Sequence, residues 1–179
     1  MKTPKMFIPE KNSEPKIEQL LEVPKLPQPE ERYKTEIERI TRKGYGLYDF
    51  LLTDSEILKV LEKLPARDVE GLEKVIITMP LRNEHYRLFG RYEKLNKISE
   101  GHRLGRIYLF KHLKTDGEFI IEQGYKTVKY KPEEFKIKNY RSLLHEAGHH
   151  VGIKDFDDDS EEFANDYMIK KYREIRDYI

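Results

Sequence analysis

Residues 143–152, with the sequence LLHEAGHHVG, decide how the rest of this 179-residue chain is interpreted. They contain the pattern His-Glu-x-x-His, formed by His145, Glu146 and His149. Residues four apart lie on one face of an α-helix, so the two imidazoles can bind one metal ion. Glu146 can then reach a water molecule on the open side of that ion. The pattern predicts a zinc site on a helix, with Glu146 as the catalytic carboxylate.

A catalytic zinc ion needs a third protein ligand, and three carboxylates downstream are candidates. Glu161 begins a predicted helix whose apolar stripe continues through Ala164, Met168, Tyr172, Ile175 and Ile179. Because a carboxylate on a buried stripe is costly unless it is paired or bound to metal, we expect Glu161 to be the ligand. Asp155 is the alternative, since its spacing after Gly152 can return a ligand to the metal. Glu162 is expected to face solvent.

Residues near the motif have predicted supporting roles. Asn165, one turn after Glu161, is expected to orient a ligand histidine, and the small Ala164 to let two helices approach closely. His150 is expected to pack away from the metal. Peptide hydrolysis also needs a group that stabilises an oxyanion, and the sequence does not choose among its candidates, Tyr167, Tyr172 and His112.

The order of predicted elements indicates an α+β chain. Helices are predicted over 30–43 and 56–64, the second with a cap at 53–55. Strands are predicted at 75–79, 86–92, 105–112, 119–121 and 125–130, the last two as a hairpin. A helix from about Ile137 or Asn139 should contain the motif and end at Gly152 as its C-cap. A last helix should follow the Ser160 cap, from Glu161 to about Tyr178.

Three regions follow from this order. Residues 1–30 carry six prolines among many charges, which predicts a solvated tail or a pro-segment lying across a cleft. Residues 31–74 are the predicted helical N-terminal region, and residues 75–179 the predicted catalytic core.

The composition limits the classes of protein to consider. There is no cysteine, so His and carboxylates are the only strong metal ligands, and the net charge of +1 gives no overall attraction to nucleic acid or anionic lipid. The abundance of Lys, Glu, Arg and Tyr is typical of heat-adapted proteins. No apolar run is long enough for a membrane helix, and the N-terminus lacks a signal peptide, so we expect a cytoplasmic protein.

The Glu161-x-x-Ala164-Asn165-x-Tyr167 pattern, a short distance after the histidines, resembles the glutamate helix of gluzincin metallopeptidases, and is most similar to the minigluzincins. The resemblance implies a zincin-like α+β fold, in which a small sheet packs on the HExxH helix and a C-terminal glutamate helix. It implies one zinc ion held by His145, His149 and Glu161, with Glu146 as general base and acid. It also implies an archaeal source, a peptide or protein substrate, and latency in which a terminal segment covers the cleft.

A binding module is the alternative interpretation. Basic residues interleaved with aromatic ones between positions 82 and 111 could bind single-stranded nucleic acid on a sheet, with the metal structural or absent. In the peptidase interpretation, the strand at 105–112 is instead the expected rim of the cleft, where an extended substrate would add as a further strand.

Overall fold

The computed structural model describes residues 35–41, 46–80, 89–99, 102–123 and 126–179. The chain separates into two units, Met1–Glu31 and Arg32–Ile179, and every described residue belongs to the second. The predictions for residues 1–30 therefore lie outside the described residues. Within the described ranges, no helix is long and apolar enough to cross a membrane.

The described residues form an α+β fold with four α-helices and two four-stranded sheets. The strands are β1 (Glu36–Arg39), β2 (Tyr48–Asp49), β3 (Leu72–Thr78), β4 (Gly90–Ser99), β5 (His102–Phe110), β6 (His112–Thr115), β7 (Glu118–Gln123) and β8 (Lys126–Tyr130). The helices are α1 (Asp54–Lys63), α2 (Ala66–Val69), α3 (Pro132–Val151) and α4 (Glu161–Ile175), with a π-helical turn at Gly152–Phe156 and a 3-10 turn at Arg176–Tyr178.

The first sheet is mixed and has the strand order β1-β3-β5-β4. Strands β1, β3 and β5 are parallel, and β4 is antiparallel to β5 at the edge. Its buried side chains pack with those of α1 and α3 in the main core, which includes Val75, Ile77, Ile107, Leu109, Ile57, Val60, Leu143 and Leu144. Since burial of each such aliphatic side chain contributes about 1.5–3 kcal/mol, this core holds α3 firmly against the sheet.

The second sheet is antiparallel and has the order β2-β6-β7-β8. It packs on the start of α3 through a small aromatic core. The rings of Phe119 and Phe135 stack, with centroids 3.9 Å apart. Leu51 N–H, which follows β2 in the chain, donates to the buried amide oxygen of Asn139 in α3 (3.2 Å). The long helix is thus held by both sheets.

The helix predicted over 30–43 is wrong in its described part, where residues 36–39 form β1. Ile37 lies opposite Val75 in a parallel ladder, and Lys74 binds Glu36 (3.0 Å) and Glu38 (3.4 Å). The local charge pattern suited a helix. Pairing with a strand more than thirty residues away supplies the backbone hydrogen bonds instead, which no local pattern records.

Two predicted strands have different limits. The strand predicted at 86–92 begins at Gly90 and runs to Ser99, while residues 86–88 lie outside the described ranges. The strand predicted at 105–112 is divided at Lys111, because β5 belongs to the first sheet and β6, beginning at His112, to the second. The predicted strands at 75–79 and 119–130 are confirmed within two or three residues.

Helix α3 starts earlier than predicted, at Pro132, which occupies the first turn. Glu134 reaches back to accept from Lys131 N–H (3.2 Å), so the first turn is capped from within the helix. Gly152 is the C-cap of α3, as predicted, although its φ of −56° is right-handed. The backbone continues into the π-helical turn, and that turn ends at its cap, Asp157, whose φ of +54° is left-handed. Gly152 also allows close packing, because a Cβ there would lie 2.4 Å from the Asp158 carbonyl oxygen.

The other predicted helix starts are confirmed. Thr53 and Glu56 form a capping box at α1, with Glu56 N–H donating to the Thr53 hydroxyl (3.2 Å). Ser160 accepts from Phe163 N–H (3.2 Å) at the start of α4, which ends at Ile175, three residues before the predicted limit.

Candidate metal centre

The centre is built where α3 and α4 approach each other. A Cβ at Gly148 would lie 2.9 Å from the Ala164 Cα and 3.0 Å from the Ala164 carbonyl oxygen, so only glycine fits at this crossing. The close approach predicted for Ala164 is confirmed. It brings the first turn of α4 beside the face of α3 that carries His145 and His149.

His145, His149 and Glu161 come together at this point, with one possible ligand atom from each residue and all three atoms within 4.8 Å of one another. His145 Nε2 lies 3.2 Å from Glu161 Oε2, and His149 Nε2 lies 3.5 Å from Glu161 Oε1. Metal–donor distances of about 2.0–2.2 Å place tetrahedral ligands about 3.3–3.6 Å apart. Each histidine nitrogen thus lies at about this separation from one oxygen of Glu161, so the three side chains could hold a metal ion between them.

Burial favours the metal-binding form of the first histidine. Burial, and then the neighbouring His149, lowers the pKa of His145. Its imidazole is therefore neutral near pH 7 and can offer a lone pair to a metal. The side chain of His149 is only 10% exposed and that of His145 19% exposed.

Glu161 is not buried, although the argument from the apolar stripe placed it on the core side. Its side chain is 77% exposed. Along the same stripe, Ala164 and Ile175 are buried, whereas Met168 and Tyr172 are half-buried. The apolar stripe therefore faces the core as predicted, except at its first residue. Glu161 lies beyond the end of the core, at the mouth of a cleft. The carboxylate is near the histidines because of the helix crossing, and not because burial forces it to find a partner.

Two polar side chains adjoin the histidines from outside the triad. Asp159 Oδ1 lies 3.2 Å from His149 Nδ1, without the alignment of a hydrogen bond. Asn165 hydrogen bonds to His145, the role predicted for it from the sequence. Groups of this kind fix the ring orientation of metal-binding histidines. Asp159 was not singled out among the acidic residues of its loop, and only its position directly before the Ser160 cap of α4 distinguishes it.

The competing third ligands lie elsewhere. Asp155 is in the π-helical turn, where an oxygen lies 3.7 Å from Lys154 Nζ. Glu162 is exposed, as predicted. Among the described residues, the group able to hold a metal contains Glu161 and neither of these two.

Glu146 directly follows His145 in α3 and lines the same cleft, beneath the edge strand β4. Its carboxylate is buried and accepts a hydrogen bond from the backbone N–H of Tyr92. Burial, and then the negative charge of Glu161, raises the pKa of Glu146 to about 8. A divalent cation beside it would lower that pKa. A Cβ at Gly90 would lie 3.0 Å from the Glu146 Cγ, so glycine lets the strand lie directly over this side chain.

A cleft of about 540 Å³ opens over these groups, between β4, α3 and the start of α4. Phe89, Gly90, Arg91 and Tyr92 line one wall. The rim was predicted to be the strand at 105–112, but β5 is inside the sheet and β4 is its edge among the described strands. Phe110 N–H donates to Phe89 O (2.9 Å), so the odd-numbered residues here pair with β5 and Gly90 and Tyr92 direct their backbone groups outward.

His150, His112 and Tyr167 have structural surroundings. His150 is fully buried, with Nδ1 3.1 Å from Tyr92 Oη and Nε2 2.8 Å from Glu70 O, so it packs away from the triad as predicted. Burial lowers its pKa to about 4. Tyr167 donates to Asp68 (2.8 Å) and His112 packs against Phe89 and Phe135. None of the oxyanion candidates, Tyr167, Tyr172 and His112, lines the cleft.

Part of the basic and aromatic set is also described. Arg106 binds Glu73 (2.6 Å), and Tyr108 donates to Glu93 (2.8 Å). Arg91 lies over the Tyr108 ring, 5.0 Å from its centroid, and reaches the cleft. Several of the other residues proposed for nucleic-acid binding lie outside the described ranges.

Sequence reasoning missed the cleft residues upstream of the motif, namely Lys138, Arg141 and Ser142. Their signal was present, because positions 138, 141, 142, 145 and 149 recur every three or four residues and share one helix face.

Comparison with protein-family models, with curated proteins and with solved structures finds no match to this chain.

Proposed function

We propose that this protein is a zinc-dependent metallopeptidase of the gluzincin type, with a zincin-like fold. The observation that carries the proposal is the grouping of His145, His149 and Glu161, whose possible ligand atoms all lie within 4.8 Å of one another, with the buried Glu146 carboxylate lining the same cleft.

His145, His149 and Glu161 would hold the ion, which when bound supplies Lewis-acid activation of water and of the substrate carbonyl. Glu146 would take the proton of the attacking water and give it to the departing amine. Tyr92 N–H, which donates to the Glu146 carboxylate, would hold that side chain in place during both transfers. Asp159 and Asn165 would keep the two imidazoles oriented.

The substrate would bind as an extended strand along the outer edge of β4. Gly90 and Tyr92 direct backbone groups to that edge, and the absence of a side chain at Gly90 lets the strand lie directly over Glu146. Main-chain hydrogen bonds of this kind bind peptides with little dependence on sequence. The resemblance further suggests that a terminal segment covers the cleft.

Substitution of the carboxylates tests the proposal. The variant Glu146→Gln should bind one zinc ion per chain and cleave a generic protein substrate such as casein about 10²–10⁴-fold more slowly. Glu161→Gln should lose both zinc and activity. Its matched control is Glu162→Gln, which makes the same change at the next, exposed residue of α4 and should behave as wild type.

The outcomes separate the candidate functions. Unchanged proteolysis in Glu146→Gln would refute the catalytic role. A wild-type protein that binds zinc, cleaves no protein with or without residues 1–30, and shifts oligonucleotides in a salt-dependent manner would be a binding module instead.

A further inference from the structure

The cleft has a positively charged end on α3, upstream of the metal ligands. Lys138 and Arg141 line the cleft together with Ser142, on the face that continues to His145. No residue of the proposed chemistry requires two cations there. Within the described part of the chain, neither has a carboxylate at ion-pair distance, whereas Lys136 on another side of the same helix binds Glu56 at 2.5 Å.

Aromatic rings hold both cations at the cleft. Arg141 Cζ lies 4.8 Å from the centroid of Tyr172, and Lys138 Nζ lies 5.6 Å from the centroid of Tyr130. A cation over a ring face keeps its charge and leaves its other hydrogen-bond donors free. The two side chains are therefore placed by neutral partners and remain able to bind an anion.

We propose that Lys138 and Arg141 form a subsite for a carboxylate of the peptide substrate. This inference rests on the proposed peptidase function and names the substrate class of that site. Arginine and lysine donors are well suited to a carboxylate, and the planar guanidinium can bind both of its oxygens. The carboxylate would come either from an Asp or Glu side chain or from the C-terminus of the substrate.

The helix geometry places the subsite relative to the bond that is cleaved. Arg141 and Lys138 precede His145 by four and seven residues, which at 1.5 Å per residue is about 6 and 10 Å along α3. An extended peptide advances about 3.3 Å per residue, so the recognised carboxylate lies about two or three residues from the scissile bond.

Peptide binding by the Glu146→Gln variant tests the subsite without depending on hydrolysis. Calorimetric titrations, with and without zinc, would use peptides that differ only by Glu or Gln at successive positions, each with a free or an amidated C-terminus. We expect one position, or the free C-terminus, to bind about 5- to 20-fold more tightly in its charged form at about 20 mM salt, and the difference to shrink at about 300 mM salt.

Charge removal in the same background identifies the residues. Arg141→Met and the double variant Lys138→Met/Arg141→Met should abolish the preference, while Arg141→Lys should keep part of it. Arg173→Met is the matched control, because Arg173 is an exposed arginine of α4 that does not line the cleft. Thermal unfolding of each variant checks that it is folded. If the methionine variants do not fold, the partial loss of preference in Arg141→Lys still tests the subsite.

Three results would overturn the subsite: equal binding of Glu and Gln peptides, a preference that survives in the double variant, or no binding of any peptide. Failure of the peptidase proposal is distinguishable. If the preference is found but wild-type protein cleaves none of these peptides, the carboxylate subsite stands and the hydrolytic function falls.

Discussion

Replacement of Gly148 by alanine should both destabilise the fold and weaken the metal centre. The added Cβ would lie 2.9 Å from the Ala164 Cα, 3.0 Å from its carbonyl oxygen and 3.2 Å from the Tyr167 Cβ. The two nearest atoms belong to the backbone of α4, so no rotation of a side chain can relieve the contact. Helix α4 must move away from α3, and Glu161 moves with it.

Two effects oppose each other in this substitution. Within a helix, alanine is more favourable than glycine by about 1 kcal/mol. Overpacking costs about 1–3 kcal/mol, and contact with backbone favours the upper part of that range. We therefore expect a net loss of about 1–2 kcal/mol in the free energy of unfolding, which lowers Tm by about 3–8 °C for a chain of this size. Displacement of Glu161 from the histidines should reduce zinc affinity about tenfold.

Thermal unfolding with and without zinc, together with competition against a chelator, measures both effects. The zinc-dependent increase in Tm should be smaller in the variant, because a bound ion stabilises only in proportion to its affinity. Gly46→Ala is the control, since a Cβ at that position would have no atom within 4 Å. A Gly148→Ala protein with raised Tm and wild-type zinc affinity would refute the account of the helix crossing.

Two further predictions concern His112 and Asp159. Burial lowers the pKa of His112 in the folded protein to about 4, whereas a histidine in the unfolded chain has a pKa near 6.5. Between these two values the unfolded chain binds a proton that the folded chain does not, so stability falls as the pH drops from 6.5 to 4. His112→Phe should reduce that loss by on the order of 3 kcal/mol in denaturant titrations at the two pH values, whereas parallel losses in variant and wild type would contradict it. Asp159→Asn removes the charge beside His149 Nδ1. This variant should bind zinc about tenfold more weakly, without a change in Tm of the metal-free protein. Zinc affinity equal to that of the wild type would show that Asp159 does not orient the His149 ring.

Local patterns predicted the parts of the molecule that depend on local interactions. Thr53 and Ser160 start helices because each side chain accepts a backbone hydrogen bond three residues ahead. His145 and His149 share a face because the helical period fixes it. Asn165 contacts His145, and Ala164 lies at the helix crossing, as the spacing within α4 predicted.

Predictions that needed the position of a distant segment were less accurate. Residues 36–39 have the charges of a helix but form a strand, because β3 is available as a parallel partner. The rim of the cleft is β4 and not β5, because strand order depends on how the whole sheet is assembled. Gly152 is the C-cap of α3, as its sequence predicted, but its close packing against Asp158 and Phe163 was not predicted.

The sequence by itself determined the two histidines of the candidate centre, since the helical period places His145 and His149 on one face, and it left Asp155 as an alternative to Glu161. Only the tertiary structure decided why Glu161 lies there. Its side chain is exposed, so the burial argument that selected it is wrong, and the crossing at Gly148 and Ala164 brings it to the histidines. The tertiary structure also decided that Lys138 and Arg141 line the same cleft, because a helix face becomes a site only when a second element is packed against it.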